Sequence, residues 1–182
     1  MKITIFSDSH GDAGTMCGAT EKEKPDMIIH LGDGIADTAQ LSEKYPDVQM
    51  IKMLGNMDSD NEDEEWIKFA EICGRRFVMT HGHTLIKYTF FSVTNEYKLT
   101  DEDRTAGRAN IINCIGEYNA DIFLHGHTHE PFAHKTPTEN GTCWILNPGR
   151  VGRIRGTTFT PTYSVLKINE AGALEWQFVE VN

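Results

Sequence analysis

The sequence predicts an α/β fold built around a mostly parallel sheet with right-handed crossovers. First, short apolar strands alternate with helices along the early part of the chain. Second, each of the first three strands runs directly into a polar Asp, His or Asn motif. Third, 182 residues without a repeat or a linker tract predict a single domain over residues 1–182. Ligands of open α/β sheets bind beyond the carboxyl ends of the strands, so the fold class already indicates where a site would lie.

The first third of the chain contains three apolar segments and two helical segments. The helices are predicted to stop before Pro25 and Pro46, because proline removes a backbone donor and disfavours helix in the residue before it. The three strands lead to Asp8, Asp33 and Gly55. In order, the predicted ranges are strand 2–6, helix 13–24, strand 27–31, helix 35–44 and strand 48–54.

The remaining elements begin with a hairpin around Gly74, whose second arm delivers His81. A helix is predicted over 100–118, with Thr100 or Asp101 as its N-cap. Its buried face is predicted to contain Ala106, Ala109, Ile112 and Ile115. The other predicted ranges are hairpin arms 65–71 and 76–80, strand 121–124, and a second, more antiparallel group of strands at 142–146, 163–168 and 174–181.

Composition and charge argue against several classes of protein. The formal net charge is −10, so general electrostatic attraction to duplex nucleic acid or to an anionic membrane is not expected. No apolar run approaches the length of a membrane span, and we expect no signal peptide. The four cysteines show no CxxC spacing and are expected to be reduced, which predicts a cytoplasmic protein.

Five short polar motifs follow one another along the chain, each at the end of a predicted strand. They are Asp8-Ser9-His10, Gly32-Asp33, Gly55-Asn56-Met57-Asp58, His81-Gly82-His83 and Gly126-His127-Thr128-His129. Any one of them is common by chance, but five in this order are not. Together they supply enough carboxylate, amide and imidazole ligands to hold two metal ions that share one carboxylate.

The order and types of these residues resemble the calcineurin-like metallophosphoesterases, and within them the small YfcE/MJ0936-type phosphodiesterase group. The resemblance runs from residue 3 to about residue 150. It implies two packed mixed β-sheets flanked by helices, the metallophosphoesterase-like α/β/β/α sandwich. It also suggests a homodimer or a higher homo-oligomer.

The resemblance further implies two divalent metal ions, with Mn²⁺ as the first choice and Fe, Zn, Ni or Mg as alternatives. The ligands implied for the first ion are Asp8, His10, Asp33 and His129, and those for the second are Asp33, Asn56, His81 and His127. Asp33 would then bridge the two ions, and its negative charge would offset their mutual repulsion.

The mechanism implied by the resemblance is hydrolysis by a hydroxide that bridges the two metals and attacks phosphorus in line. Asn56 is expected to bind the phosphoryl group through its amide, in addition to binding metal. Asp58 and His83 are the other candidate catalytic residues. Met57 departs from the superfamily, because many members have histidine there, which is thought to protonate the leaving group. Since methionine has no proton to donate, we expect better activity on good leaving groups such as aryl esters.

A cluster of arginines follows the last motif. Asn147-Pro148-Gly149-Arg150 precedes Arg153 and Arg155, which places three arginines within six residues of an acidic chain. Because arginine binds phosphate oxygens in a bidentate manner, Arg150 is a candidate substrate-binding residue. A solvated loop is the alternative interpretation for Arg153 and Arg155.

An aromatic segment over 88–99 resembles an insertion relative to compact members of the family. It contains Phe90, Phe91 and Tyr97. A lid, a wall for base stacking and a dimer contact are the three roles it could serve.

The function predicted from these features is that of a dimetal-dependent phosphodiesterase acting on a small or nucleotide-like phosphate ester. A phosphomonoesterase with the same site is one alternative, since the sequence does not show whether a second ester group fits. A non-enzymatic interaction module is another, because the retromer subunit Vps29 resembles this fold but has lost metal-site residues. All seven ligand positions are intact here, which favours an enzyme, whereas Met57 weighs slightly against it.

Overall fold

Two five-stranded mixed β-sheets form the centre of the molecule. The computed structural model describes residues 1–58, 65–92, 96–153 and 160–181. Within these ranges the two sheets pack face to face, and helices cover both outer surfaces. The predicted α/β/β/α sandwich is therefore confirmed.

The first sheet contains the N-terminal half of the fold and its C-terminal hairpin. Its strands are β1 (Lys2–Phe6), β2 (Met27–His30), β3 (Gln49–Lys52), β11 (Thr162–Ile168) and β12 (Leu174–Glu180). The order is β12-β11-β1-β2-β3. Strands β1, β2 and β3 run parallel to one another, β11 is antiparallel to β1, and β12 is antiparallel to β11. The connections include helix α1 (Ala13–Glu23), a 3₁₀ turn (Ile35–Asp37) and helix α2 (Thr38–Lys44). The carboxyl ends of β1, β2 and β3 thus lie side by side at one edge.

The second sheet contains the middle of the chain. Its strands are β4 (Ile67–Ile72), β5 (Arg75–Thr80), β8 (Ile122–Leu124), β9 (Pro131–Thr138) and β10 (Gly141–Pro148), and its order is β4-β5-β8-β10-β9. The central strand β8 is parallel to both of its neighbours. Helix α3 (Asp101–Tyr118) precedes β8, and a separate hairpin pairs β6 (Thr89–Phe91) with β7 (Glu96–Lys98).

The predicted grouping of the last three strands is wrong. Of that group, only β10 joins the second sheet, whereas β11 pairs with β1 through contacts such as Ile3 with Leu166. β9 was not predicted, because most of its residues are exposed and the segment has no apolar run. Pairing partners more than a hundred residues apart leave no local pattern in the sequence.

Alternation along the strands places the apolar core in three layers. Ile3 and Ile5 on β1 point between the two sheets, whereas Phe6 points to the outer face, where α1 and α2 contribute Met16 and Leu41. A third cluster lies between α3 and the outer face of the second sheet. The edge that carries the motifs is therefore supported from both sides by packed side chains.

Helix α3 uses a different face from the one predicted. Its buried residues are Gly107, Ile111, Cys114 and Ile115, whereas Ala106, Ala109 and Ile112 are exposed. The reason lies at Gly107, where a Cβ atom would stand 2.9 Å from the Ile86 side chain, so this position must be the point of close approach. The predicted N-cap is confirmed, because Thr100 and Asp103 form a capping box.

All four cysteines are free thiols, as predicted, and three of them are buried. Among the described residues there is no helix both long and apolar enough to cross a membrane.

Candidate metal centre

The polar motifs converge at the edge where the two sheets meet. Asp8, Asp33 and His81 are buried there, and each follows a strand of the sandwich. Two groups of side chains bring their ligand atoms within 4.8 Å of one another: Asp8, His10 and His129 form one, and Asp8, Asp33 and His81 form the other. His127 lies beside the second group, because its ring centroid is 5.1 Å from that of His81. Parallel strand ends thus collect six of the seven predicted ligands.

Asn56, the seventh predicted ligand, lies in the turn after β3 and is exposed. The next residue connects that turn to the site, because the Met57 backbone N–H donates to Asp33 Oδ1 at 2.8 Å. The two roles assigned to Asn56, in metal binding and in phosphate binding, remain predictions.

The backbone at the site is unusual. Of the eight non-glycine residues with positive φ in the described ranges, five are predicted ligands: Asp8 (55°), His10 (45°), Asp33 (56°), His127 (66°) and His129 (60°). Residues other than glycine are uncommon in this region and adopt it at a cost, so the surrounding structure must hold these loops in place. The motifs Asp8-Ser9-His10 and Gly126-His127-Thr128-His129 therefore lie in tight loops and not in extended strands.

The two carboxylate oxygens of Asp8 have different surroundings, because the protein holds one of them and the other faces the candidate metal site. Oδ2 accepts hydrogen bonds from the Ser7 hydroxyl at 2.5 Å and from the His127 backbone N–H at 3.1 Å. Oδ1 is buried and receives no hydrogen bond of acceptable geometry from the described residues. Three imidazole Nε2 atoms face this oxygen, from His129 at 3.2 Å, His81 at 3.9 Å and His10 at 4.0 Å. A buried carboxylate oxygen surrounded by ring nitrogens has the donor set of a transition-metal site.

The two ring nitrogens of His81 differ in the same way. Its Nδ1 lies 2.8 Å from the Leu31 carbonyl oxygen, so Nδ1 carries the proton and Nε2 presents its lone pair to the site. Nε2 is buried without a hydrogen bond from the described residues and lies 3.5 Å from Asp33 Oδ2. The other Asp33 oxygen is held by the Met57 N–H. These residues fit a divalent metal ion, because Asp8 and His81 each keep one buried ligand atom oriented and otherwise unsatisfied, and Asp33 faces His81 with its second oxygen.

The two groups share Asp8, whereas the resemblance implied that Asp33 is shared. Asp33 stands with Asp8 and His81, and it is not in the group that contains His10 and His129. Asp8 is therefore the residue common to both groups, and the bridging role assigned to Asp33 remains a prediction.

The charges of the site suit a cation. Burial alone would raise the pKa of Asp8, but His129 and His81 outweigh it and lower that pKa to about 2. Burial, assisted by His81, lowers the pKa of His127 to about 4, so its ring is neutral at pH 7. For His81 the opposing effect of burial is exceeded by Asp33 and Asp8, which raise its pKa. A divalent ion bound at Nε2 would compete with the second ring proton that this raised pKa favours, while Nδ1 keeps its proton.

Asp58 connects two of the loops. Its carboxylate accepts four backbone hydrogen bonds, from Asp33 and Gly55 at Oδ2 and from Gly34 and Ile35 at Oδ1, all between 2.8 and 2.9 Å. These contacts make Asp58 a positioning residue, which fixes the loop after β2 against the loop after β3. A catalytic role for Asp58 remains a prediction.

Glycine allows these loops to approach closely. A Cβ atom at Gly55 would collide with the Asp33 carboxylate, and one at Gly126 would collide with the Ser7 hydroxyl. Both glycines belong to motifs identified in the sequence, where they leave room for the neighbouring ligand.

Two further histidines, His30 and His125, are buried behind the loops that carry the ligands. His30 Nδ1 accepts from the Gly32 N–H, so its Nε2 donates to the Ser9 hydroxyl at 3.2 Å, and Ser9 in turn donates to Asp37. His125 is also buried, with Nδ1 near the Gly126 carbonyl oxygen.

Asn147 explains the Asn-Pro-Gly turn. Its amide nitrogen donates to the Gly126 carbonyl at 2.8 Å and to the Thr128 hydroxyl at 3.0 Å, which fixes the loop that carries His127 and His129. The motif was visible in the sequence, but its partner was not. Ser7 was also missed, because nothing in the sequence around it indicates which loop its hydroxyl will meet.

Arg150 is buried, and its Nε donates to the Gly152 carbonyl at 2.8 Å. Burial lowers the pKa of this guanidinium, and Asp8 acts in the opposite direction. Its substrate-binding role remains a prediction. Arg155 lies outside the described residues.

The aromatic segment 88–99 contains the antiparallel pair β6 and β7, and the side chains of Phe90, Phe91 and Tyr97 lie outside the described part of the structure. At its start, the Tyr88 hydroxyl donates to the His127 carbonyl at 3.3 Å, and the two rings meet at 90°. Tyr88 thus braces a predicted ligand.

His83 is flanked by three rings. Its centroid lies 5.6 Å from that of His81, 6.2 Å from His127 and 4.8 Å from Trp66. Its place next to two predicted ligands is compatible with the catalytic role assigned to it, which remains a prediction.

Comparison with known proteins agrees with this geometry. Residues 1–171 match the family model of the calcineurin-like phosphoesterase superfamily domain. "Probable metallophosphoesterase MG207" of Mycoplasma genitalium is 24% identical over 170 residues, which cover 93% of this chain and 89% of that protein. Two solved structures match over 100% of both chains: YfcE, a phosphoesterase from E. coli (19% identity, TM-score 0.60), and Vps29 from Entamoeba histolytica in complex with Zn²⁺ (14%, TM-score 0.61). At these identities the structural matches establish the fold alone.

Proposed function

This chain belongs to the calcineurin-like phosphoesterase superfamily, and from that premise we propose that it is a metal-dependent phosphodiesterase acting on small or nucleotide-like phosphate esters. The observation that carries the proposal is Asp8 Oδ1, a buried oxygen that no described residue satisfies and that three imidazoles face. The two groups of candidate ligands share Asp8, and two neighbouring divalent ions would need such a shared carboxylate.

The residues would divide the work of hydrolysis among them. The ions would be held by the seven predicted ligands, which are Asp8, His10, Asp33, Asn56, His81, His127 and His129. Bound divalent ions would lower the pKa of a water ligand and neutralise charge on the phosphoryl oxygens. The Asn56 amide would donate to a phosphoryl oxygen, and Asp58 would keep the two loops in register. Met57 cannot protonate the leaving group, so good leaving groups are favoured.

The interaction module is retained as a second candidate because of one finding. A structural neighbour of this chain is Vps29 in complex with Zn²⁺, so metal binding by itself does not distinguish the two functions. Turnover does.

The deciding experiment compares hydrolysis of bis-p-nitrophenyl phosphate and p-nitrophenyl phosphate by the full chain, stripped of metal and then reloaded with Mn²⁺. We expect metal-dependent turnover that favours the diester. His129→Gln should lose it, whereas the matched variant His134→Gln, on β9, should not. Preference for the monoester would indicate a phosphomonoesterase, and metal binding without turnover would favour the interaction module.

A further inference from the structure

A tryptophan stands beside the metal centre without belonging to a core. Trp66 directly precedes β4, exposes 38% of its surface, and is in none of the three apolar clusters formed by described residues. Its ring meets His83 at 4.8 Å and 78°, and His83 in turn lies 5.6 Å from His81. Two ring contacts therefore connect the indole to a predicted metal ligand.

The orientation of the indole leaves it able to bind a planar group. A nearly perpendicular contact with His83 occupies at most one face of the ring. An aromatic face of this kind binds nucleobases and aryl groups by stacking, which does not require a particular hydrogen-bonding pattern. A site that bound only the charged phosphate group would have no use for a large apolar side chain nearby.

Met57 presents a second apolar side chain beside Asp33, another predicted ligand. Its side chain is 71% exposed, while its backbone N–H is fixed on the Asp33 carboxylate. A ligand bound through its phosphoryl group to the metal centre would thus meet an apolar side chain next to Asn56.

We propose that Trp66 is a substrate-binding residue that stacks on an aromatic ring, either an aryl group or a nucleobase, carried by the phosphate ester. This inference rests on the proposed function, because the metal centre must hold the phosphoryl group while the ring stacks. It narrows the substrate class to esters that carry a planar ring and assigns Trp66 the discrimination between these and alkyl esters.

The test uses binding rather than turnover. Phenylphosphonate and methylphosphonate present similar charged groups and differ in the ring, and calorimetry on the Mn²⁺-loaded chain gives their affinities. We expect phenylphosphonate to bind roughly tenfold more tightly, as one stacking contact allows. Trp66→Ala should abolish that preference, whereas Trp66→Phe should keep most of it. The matched control is Phe69→Ala, which removes another exposed ring, on β4, that contacts Tyr118 instead.

Three results would overturn the inference: equal affinity of the wild type for the two phosphonates, an unchanged preference in Trp66→Ala, or no binding of either. Failure of the proposed function has a different signature. In that case the ring preference and its loss in Trp66→Ala would persist, but bis-p-nitrophenyl phosphate would not be hydrolysed.

Discussion

The candidate ligands are individually oriented before any ion binds. In Asp8, Asp33 and His81, one polar atom is fixed by the protein and the other faces the site. A metal ion therefore meets side chains whose rotamers and, for His81, whose tautomer are already set. Such preorganisation lowers the entropy lost on binding and gives each supporting contact a measurable effect.

Substituting Asp33 tests which carboxylate the ions share. If Asp33 bridges, Asp33→Ala should lose both ions, as measured by elemental mass spectrometry of the Mn²⁺-loaded chain. His10→Ala should retain one ion, since His10 belongs to only one of the two groups. If Asp33→Ala retains one ion and Asp8→Ala retains none, Asp8 is the shared ligand. Retention of two ions in Asp33→Ala would contradict the ligand assignment.

The ligands could be predicted from the sequence because metal chemistry restricts which residue types can serve. The residues that hold these ligands in position could not be predicted from the sequence. Ser7, Tyr88 and Asn147 act through atoms that become neighbours only after folding, such as the His127 carbonyl bound by Tyr88. Even Asp58, which was singled out, was assigned from its motif, and its four backbone contacts come from two separate loops.

Those two loops form the element that Asp58 stabilises. Asp58→Asn replaces one acceptor oxygen by an NH₂ group, so two of four backbone N–H groups lose their acceptor. We expect the free energy of unfolding to fall by about 1–3 kcal/mol per unsatisfied group, and Mn²⁺ affinity to fall about 10- to 100-fold. Urea unfolding and metal titration measure the two effects.

The matched control for Asp58→Asn is Asp47→Asn, an exposed aspartate just before β3. This variant should change neither quantity by more than the error of the measurement. Wild-type Mn²⁺ affinity in Asp58→Asn would show that the loops keep their positions without the carboxylate.

Helix α3 depends on its first turn. The Thr100 hydroxyl accepts from the Asp103 N–H at 3.1 Å, and Asp103 accepts in return from the Thr100 N–H at 2.8 Å. Thr100→Ala should lower the free energy of unfolding by about 1 kcal/mol, because one orphan N–H loses its acceptor. Thr105→Ala, in the exposed part of the same helix, is the control and should cost less. Equal effects in urea unfolding would show that the cap contributes nothing specific.

Elements differ in how far the sequence determines them. The limits of α3 and its N-cap follow from local signals and were predicted to within a residue. The buried face of α3 was not, because it depends on Ile86 meeting Gly107. Likewise, β11 has the apolar pattern of a strand, but its place beside β1 depends on a partner more than a hundred residues away.

At the scale of the whole molecule, the sandwich places two neutral histidines beneath the site. His30 is fully buried at the end of β2, and His125 is buried after β8. Burial lowers the pKa of each to about 4, although nearby carboxylates oppose this for His30 and the Gly126 carbonyl opposes it for His125. The fold thus keeps both rings uncharged next to a site designed for cations.

These two histidines predict how stability depends on pH. In the unfolded chain they bind protons below about pH 6.5, whereas in the folded protein they do so only near pH 4. The unfolded state therefore binds more protons between these values, so the free energy of unfolding must fall as the pH falls. Between pH 7 and pH 5 the loss should be about 2 kcal/mol for each histidine.

Urea unfolding of the metal-free chain at pH 7 and pH 5 isolates this contribution by comparison with variants. His127 acts in the same direction and His81 in the opposite one, but both remain in the wild type and in the variants, so their effects cancel. His30→Gln or His125→Gln should each reduce the difference between the two pH values by about 2 kcal/mol. Ile3→Val, which weakens the core without removing a titrating group, should lower stability equally at both pH values. If His125→Gln kept the full pH dependence, the protonation of other groups would have to explain it, and the buried histidines would not be what limits stability in acid.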